Sequence, residues 1–259
     1  MKSMTQANRQ NWDALAEVHY RNYDIDKLLA GTPLVNDLIR SEVGDVQGKS
    51  LCHLLCHIGT DTLSWALLGA QVTGVDISPV SLKYARTLAE KMGIQADFIE
   101  SDILDACQKV SGKYDIVFSS TGVLCWQPDI NLFAQTTRAL LKDGGFFYLL
   151  DGHPFRNVLY DEAGNLSENT IQGDYFHKEV WKYDHMGDYT DPDLNIPCDV
   201  YEWDWTLGEV VTAFCGAGFR IEFLHEFPQF YYGGYTPHNV QNNKVELYPC
   251  TFSLKAWAV

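Results

Sequence analysis

The chain has 259 residues, enough for one large α/β domain or two small ones, and its 46% hydrophobic content can supply a substantial core. Nineteen basic residues against thirty-four acidic ones leave a formal net charge of −15, and no local basic patch offsets it, so binding to a nucleic-acid backbone is disfavoured. The polar start MKSMTQANRQNW offers no apolar signal-peptide core and no run is long and apolar enough to span a bilayer, so a cytoplasmic protein without a membrane partner is expected.

In chain order, Trp12, Leu15, Ala16 and His19 recur at helical spacing and predict a helix from about Thr5 to His19. A second helix is expected from near Pro33 through Leu38 and Ile39. From Ser50 short apolar runs alternate with helical stretches, the form taken by a parallel sheet with crossover helices. Strands are predicted at Ser50–Leu55, Gln71–Asp76, Asp97–Glu100, Tyr114–Ser119 and Phe146–Leu150. Helices are predicted at Thr60–Leu68, from Pro79 to Met92 with Ser78 as cap, and at Ile130–Leu141 after Asp129. Residues 154–205 break the rhythm, and their many tyrosines and tryptophans suit an ordered insertion with its own strands rather than a linker. The alternation returns with a helix at Thr206–Ala217 stopped by Gly218, a strand at Arg220–Phe227, and a final strand at Thr251–Ala258. Without repeats or a Gly/Ser linker, one domain over 1–259 is expected, with a helical cap over about 1–47 and a substrate-side insertion over about 154–205.

The chemistry concentrates in LCHLLCHIGTDTLSWALLGAQVTGVDIS, residues 51–78. A tight turn ending in Gly59 follows the first strand, and Asp76 ends the second. Such a turn lets backbone approach a ligand, and a carboxylate beside it can take both hydroxyls of a ribose, so the layout reads as nucleoside-binding. The same stretch resembles motif I of class I S-adenosylmethionine-dependent methyltransferases, in the variant with Cys-His-x-Gly in place of the glycine-rich loop. In that resemblance His53 stands where the family has an acid, Leu55 and His57 take the first two glycine positions around Cys56, and Gly59 is the third. FIESDILD then implies Asp102 against the adenine amino group with Ile103 beside the ring, as Ile77 follows Asp76. YDIVFSSTGVLCW implies the fourth strand and the loop beneath the cofactor, through Ser119, Thr121 and Gly122. LKDGGFFYLLDGH and AGFRIEFLHEF match later strands, so the resemblance covers about 48–152 and 206–258. It implies a doubly wound, Rossmann-like, mostly parallel seven-stranded sheet with an antiparallel last strand and an aromatic-rich insertion after the fifth. The implied cofactor is S-adenosylmethionine, leaving as S-adenosylhomocysteine, and the implied partner is a small-molecule methyl acceptor.

Other residues carry narrower expectations. Tyr20 and Tyr23, after the first helix, are candidates to close over a sulfonium, since aromatic faces attract a cation and exclude water. His153, directly after the fifth strand, is the candidate general base, with His185 and His238 behind it. Cys52, His53, Cys56 and His57 offer zinc's preferred ligand types, but neighbours on a strand face opposite ways and no metal site is expected. The seven cysteines are odd in number and set in apolar contexts, as reduced thiols are. Two alternatives remain open: a nicotinamide-dependent oxidoreductase, which also places an acid after its second strand, and a cofactor-binding protein without catalysis.

Overall fold

The computed structural model describes residues 2–159, 171, 173–188, 190–191, 193–229, 231 and 248–259, the side chains of His185 and Met186 excepted. Helix α1 (Lys2–Asn22) extends three residues beyond each expected end. A short α2 (Ile25–Leu29) follows, and α3 (Asp37–Val43) begins after Asn36 rather than near Pro33. The Asn36 side chain accepts from the Ile39 N–H at 2.9 Å and so sets that boundary.

The alternating segment then runs β1 (Ser50–Leu54), α4 (Thr60–Leu67), β2 (Gln71–Asp76), α5 (Pro79–Met92), β3 (Ala96–Glu100), α6 (Ala106–Lys109), β4 (Tyr114–Ser120), α7 (Ile130–Leu140) and β5 (Leu141–Gly152). Ser78 caps α5 by accepting from the Ser81 N–H at 3.0 Å, and Asp129 caps α7 by accepting from Leu132 at 2.9 Å. The insertion contributes a two-stranded antiparallel sheet, β6 (Trp181–Met186) and β7 (Ile196–Glu202). After it come α8 (Leu207–Gly216), β8 (Phe219–Phe227) and β9 (Thr251–Ala258). Thr206 and Glu209 form a reciprocal capping box at the start of α8.

The main sheet has seven strands in the order β3-β2-β1-β4-β5-β9-β8. The first five pair in parallel, and β9 lies antiparallel between β5 and β8. This is the expected Rossmann-like sheet with its antiparallel last strand. One face packs Phe133, Phe147, Phe214 and Leu254 in a single core, and the other buries Trp65, Phe118 and Tyr148. Strand order reverses between β1 and β4, so a crevice opens at their carboxyl ends, the place where open α/β sheets bind ligands. Among the described residues no helix is long and apolar enough to cross a membrane.

Candidate active site

The crevice is built first from the turn between β1 and α4. Leu55, His57 and Gly59 all have left-handed backbone, with φ of 57, 50 and 77°. These alternate residues are the three positions at which the resemblance sets glycines, and the backbone keeps the glycine conformation at all of them. A side chain in this region costs roughly 1–2 kcal/mol. Packing explains why the third glycine alone persists: a Cβ on Gly59 would lie 2.8 Å from Ala85 Cβ and 3.0 Å from the Phe98 ring.

Backbone bonds stitch this turn to its neighbours. The Cys56 N–H donates to the Val75 carbonyl at 3.0 Å, and the Ser101 N–H donates to the Asp76 carbonyl at 2.9 Å. The turn, the end of β2 and the end of β3 are therefore contiguous. Asp76 accepts the His57 N–H and the Ser78 N–H, each at 2.8 Å, on separate carboxylate oxygens. Burial pushes its carboxyl from 3.8 up to about 6, against the pull of those backbone donors. Each oxygen retains a lone pair, so two ribose hydroxyls match what Asp76 can still accept.

Ile77 follows half-buried at the same edge. Asp102 caps the 3₁₀ turn Ile103–Asp105 by accepting from the Leu104 N–H at 3.0 Å, and the Ile103 side chain is buried behind it. Thr121 lies half-buried in the turn after β4. That turn is shaped by Asp151 at the end of β5, which accepts from the Gly122, Val123 and Leu124 N–H groups at 2.7, 3.0 and 2.8 Å.

Several expected residues are employed elsewhere. His53 points into the core with Nδ1 2.9 Å from Thr62 Oγ1, and burial lowers its imidazole to about 3. Cys56 and Ser119 also turn inward; the Ser119 hydroxyl donates to the Leu54 carbonyl at 3.2 Å. Tyr20 does not join the crevice: its ring stacks on Tyr84 at 4.7 Å and its hydroxyl accepts from Lys91 Nζ at 2.9 Å, both on α5. Tyr23 does approach, stacked on His19 at 5.0 Å and 6.2 Å from the His57 ring.

His153, the candidate general base, is hydrogen-bonded at both ring nitrogens. Its Nδ1 accepts from the Phe155 N–H at 3.0 Å, so Nε2 carries the proton, which it donates to Glu226 Oε1 at 2.8 Å. Both nitrogens are thereby occupied, and burial holds the imidazole below its ordinary range despite the nearby carboxylate. His238 lies outside the described residues, as does the His185 side chain. Among the described residues no group of three or more His, Cys, Asp or Glu is arranged to hold a metal ion.

The other wall consists of residues that the motifs did not mark. Helix α1 crosses the carboxyl edge: Asp13 Oδ1 accepts from the Ser78 hydroxyl at 2.6 Å, and the Trp12 ring sits 5.1 Å from His57 and 5.3 Å from Trp126. The insertion docks on α1 through Asn8, whose amide exchanges bonds of 2.7 and 2.8 Å with the Tyr201 carbonyl and N–H. At the end of β7, burial raises Glu202 to about 7, reinforced by Asp204 and opposed by Arg156. The available sequence signal was the polar residues Asn8, Asn11 and His19 recurring on the same stripe of α1 as Leu15 and Ala16. A buried stripe carrying amides and an imidazole needs polar partners from another element.

Comparison with known proteins bears on this geometry. A methyltransferase-domain family matches residues 52–145. The ubiquinone biosynthesis O-methyltransferase of Bordetella pertussis is 30% identical over 155 residues, which are 59% of this chain and 64% of that protein. The chain thus spans less than two thirds of that relative. An S-adenosylmethionine-dependent methyltransferase structure from Clostridium acetobutylicum superposes with a TM-score of 0.59 at 12% identity, covering 95% of this chain and 96% of that one. A magnesium protoporphyrin IX methyltransferase from Synechocystis, with bound S-adenosylhomocysteine, superposes at 0.53 and 14% identity over 100% of this chain and 86% of that one. Residues 52–145 are thus similar to a methyltransferase domain, and the chain shares its fold with S-adenosylmethionine-dependent methyltransferase structures.

Proposed function

We propose that this chain transfers a methyl group from S-adenosylmethionine to a small-molecule acceptor. The observation that carries the reading is the contiguity of three segments: the left-handed turn Leu55–Gly59, the Asp76 carboxylate beneath it, and Asp102–Ile103 beside it. The residues fit the cofactor. Asp76 has acceptor capacity for the ribose hydroxyls, Asp102 and Ile103 offer an acid and an apolar surface for the adenine, and Ile77 and Thr121 border the same edge. When bound, the sulfonium supplies an activated methyl carbon open to in-line displacement, so no nucleophile on the protein is required.

The chain's own contribution is to orient, to exclude water and to accept a proton. Trp12, Tyr23 and Trp126 close the edge with aromatic surface, which attracts a cation and keeps water from it. Glu202 is the proton acceptor of this reading: it stands between Tyr201, bonded to Asn8 of α1, and Trp203, bonded to the Cys125 carbonyl beside Trp126, and burial raises it to about 7, poised to take a proton from an oxygen or nitrogen acceptor at neutral pH. A net charge of −15 supports a small acceptor over a nucleic acid. Relatives named for ubiquinone biosynthesis and for magnesium protoporphyrin point to the same size class. Calorimetric titration with S-adenosylmethionine, S-adenosylhomocysteine and NADH tests the reading, and an acceptor screen read by S-adenosylhomocysteine release follows it. Binding of both sulfur nucleosides without NADH is expected; binding of NADH alone would overturn it.

A further inference from the structure

His57 stands where left-handed backbone favours glycine, and its imidazole is held at both nitrogens. Nδ1 lies 3.0 Å from Ser81 Oγ in the first turn of α5. Nε2 lies 2.7 Å from His19 Nδ1 on α1, and His19 Nε2 lies 2.5 Å from Asp188 Oδ2, just beyond β6 in the insertion. The His19 and Asp188 side chains are buried, at 0% and 1% exposure, which shields the line from competing water.

The line ends on an ionised carboxylate. Burial pushes the Asp188 carboxyl up, but hydrogen bonds from His19 and Thr190 outweigh it and hold the carboxyl below its usual range, so it is an ionised acceptor. It takes the proton of His19 Nε2, and a single proton lies between His19 Nδ1 and His57 Nε2. Burial is the main cause that keeps the His57 imidazole neutral, and its Nδ1 pairs with the Ser81 hydroxyl. Tyr23 stacks on His19 and steadies the ring between its partners.

We propose that His19 and Asp188 are positioning residues: they hold the neutral His57 imidazole, and through it keep the turn in the backbone shape that glycine would adopt unaided. The consequence is a cofactor cradle that depends on the insertion being docked, because Asp188 belongs to the insertion and His57 to the cradle. A glycine turn would carry no such dependence. The inference rests on the cradle reading above, and its test separates the two.

The test is a double-mutant cycle on the full chain, read as the calorimetric Kd for S-adenosylhomocysteine. If the wild-type chain does not bind, the cradle reading fails and the tether fails with it. Given binding, His19→Ala and Asp188→Ala are each expected to weaken it about tenfold. In the His57→Gly background either second substitution is expected to cost less than about twofold, because glycine needs no tether. Equal losses in both backgrounds, or no loss in the first, would overturn the proposal. Should His19→Ala fail to fold, the cycle with Asp188→Ala decides the matter alone.

Discussion

The two walls of the crevice are held together in different ways. On the cofactor side, Asp76 takes the N–H of Ser78, two residues on, and of His57, nineteen residues back, all within one strand–helix–strand unit. On the other side Asn8 bonds to Tyr201 across 193 residues, and His19 reaches Asp188 across 169. A local wall built from backbone tolerates the replacement of two glycines by leucine and histidine, because what it presents is the course of the chain. The distant wall presents side chains, each in place only because two far segments have docked. Substitutions on the first should therefore act on cofactor affinity; on the second, those at Asn8 and Glu202 should act on turnover and the acceptor, while those at His19 and Asp188 reach cofactor affinity through His57.

The largest effect is expected at Asp76. Asp76→Asn should weaken S-adenosylhomocysteine binding by about a hundredfold, since an uncharged amide replaces a charge-assisted acceptor. The same residue sets a pH dependence. Its folded value of about 6 stands above 3.8, so its contribution to stability is full below 3.8 and is lost as pH rises through about 6. A ribose that needs the ionised form must therefore expel a proton in acid, and affinity should fall toward about tenfold per pH unit below that point. Asp61, likewise raised to about 6 by burial at the start of α4, is the control: Asp61→Asn should leave the slope unchanged and Asp76→Asn should abolish it. A slope that survives Asp76→Asn would break the assignment of this wall.

Next in size, Glu202→Gln should lower kcat by roughly ten- to a hundredfold with the cofactor Kd unchanged, as loss of a general base does. The rising limb of kcat against pH near 7 should vanish with it. An unchanged profile would return Glu202 to a structural role among Asp204, Arg156, Tyr183 and Cys125. Smaller still, Asn8→Ala removes two backbone bonds to β7 and should cost about 1–2 kcal/mol of stability, while raising the acceptor KM more than the cofactor Kd. Thermal melts and a KM-against-Kd comparison read that split. The smallest effect on turnover is expected of His153→Ala: within about twofold in kcat, with a stability loss of about 1–2 kcal/mol from the orphaned Phe155 N–H. A collapse of kcat there would restore it as a base.

Much of the sheet and the cofactor wall was legible in the sequence. β2, α5 and β9 have the expected ends, and Ser78 and Asp129 cap the helices they precede, whereas Thr206, expected as the first residue of its helix, is the cap before it. Leu55, His57 and Gly59 follow β1, Asp76 and Ile77 end and follow β2, Asp102 and Ile103 follow β3, and Thr121 follows β4, at the carboxyl ends of neighbouring strands. Side-chain direction was less legible: His53, Cys56 and Ser119 share that edge in sequence and point into the core in space, because one step along an extended chain turns a side chain to the opposite face. Tyr20 illustrates the same limit on a helix, where three residues separate it from Tyr23 yet its ring lies on α5.

By itself the sequence determined the alternation of strands and helices, their caps and the placing of a turn ending in Gly59 between β1 and α4, since each depends on residues within a few positions of one another. Tertiary structure alone decided that α1 lies across the carboxyl edge, that Asp188 returns to His19, and that burial raises Glu202 at the end of β7. Those outcomes depend on burial and on pairings across more than 160 residues, and neither a side chain's partner nor its desolvation is written in its immediate neighbours.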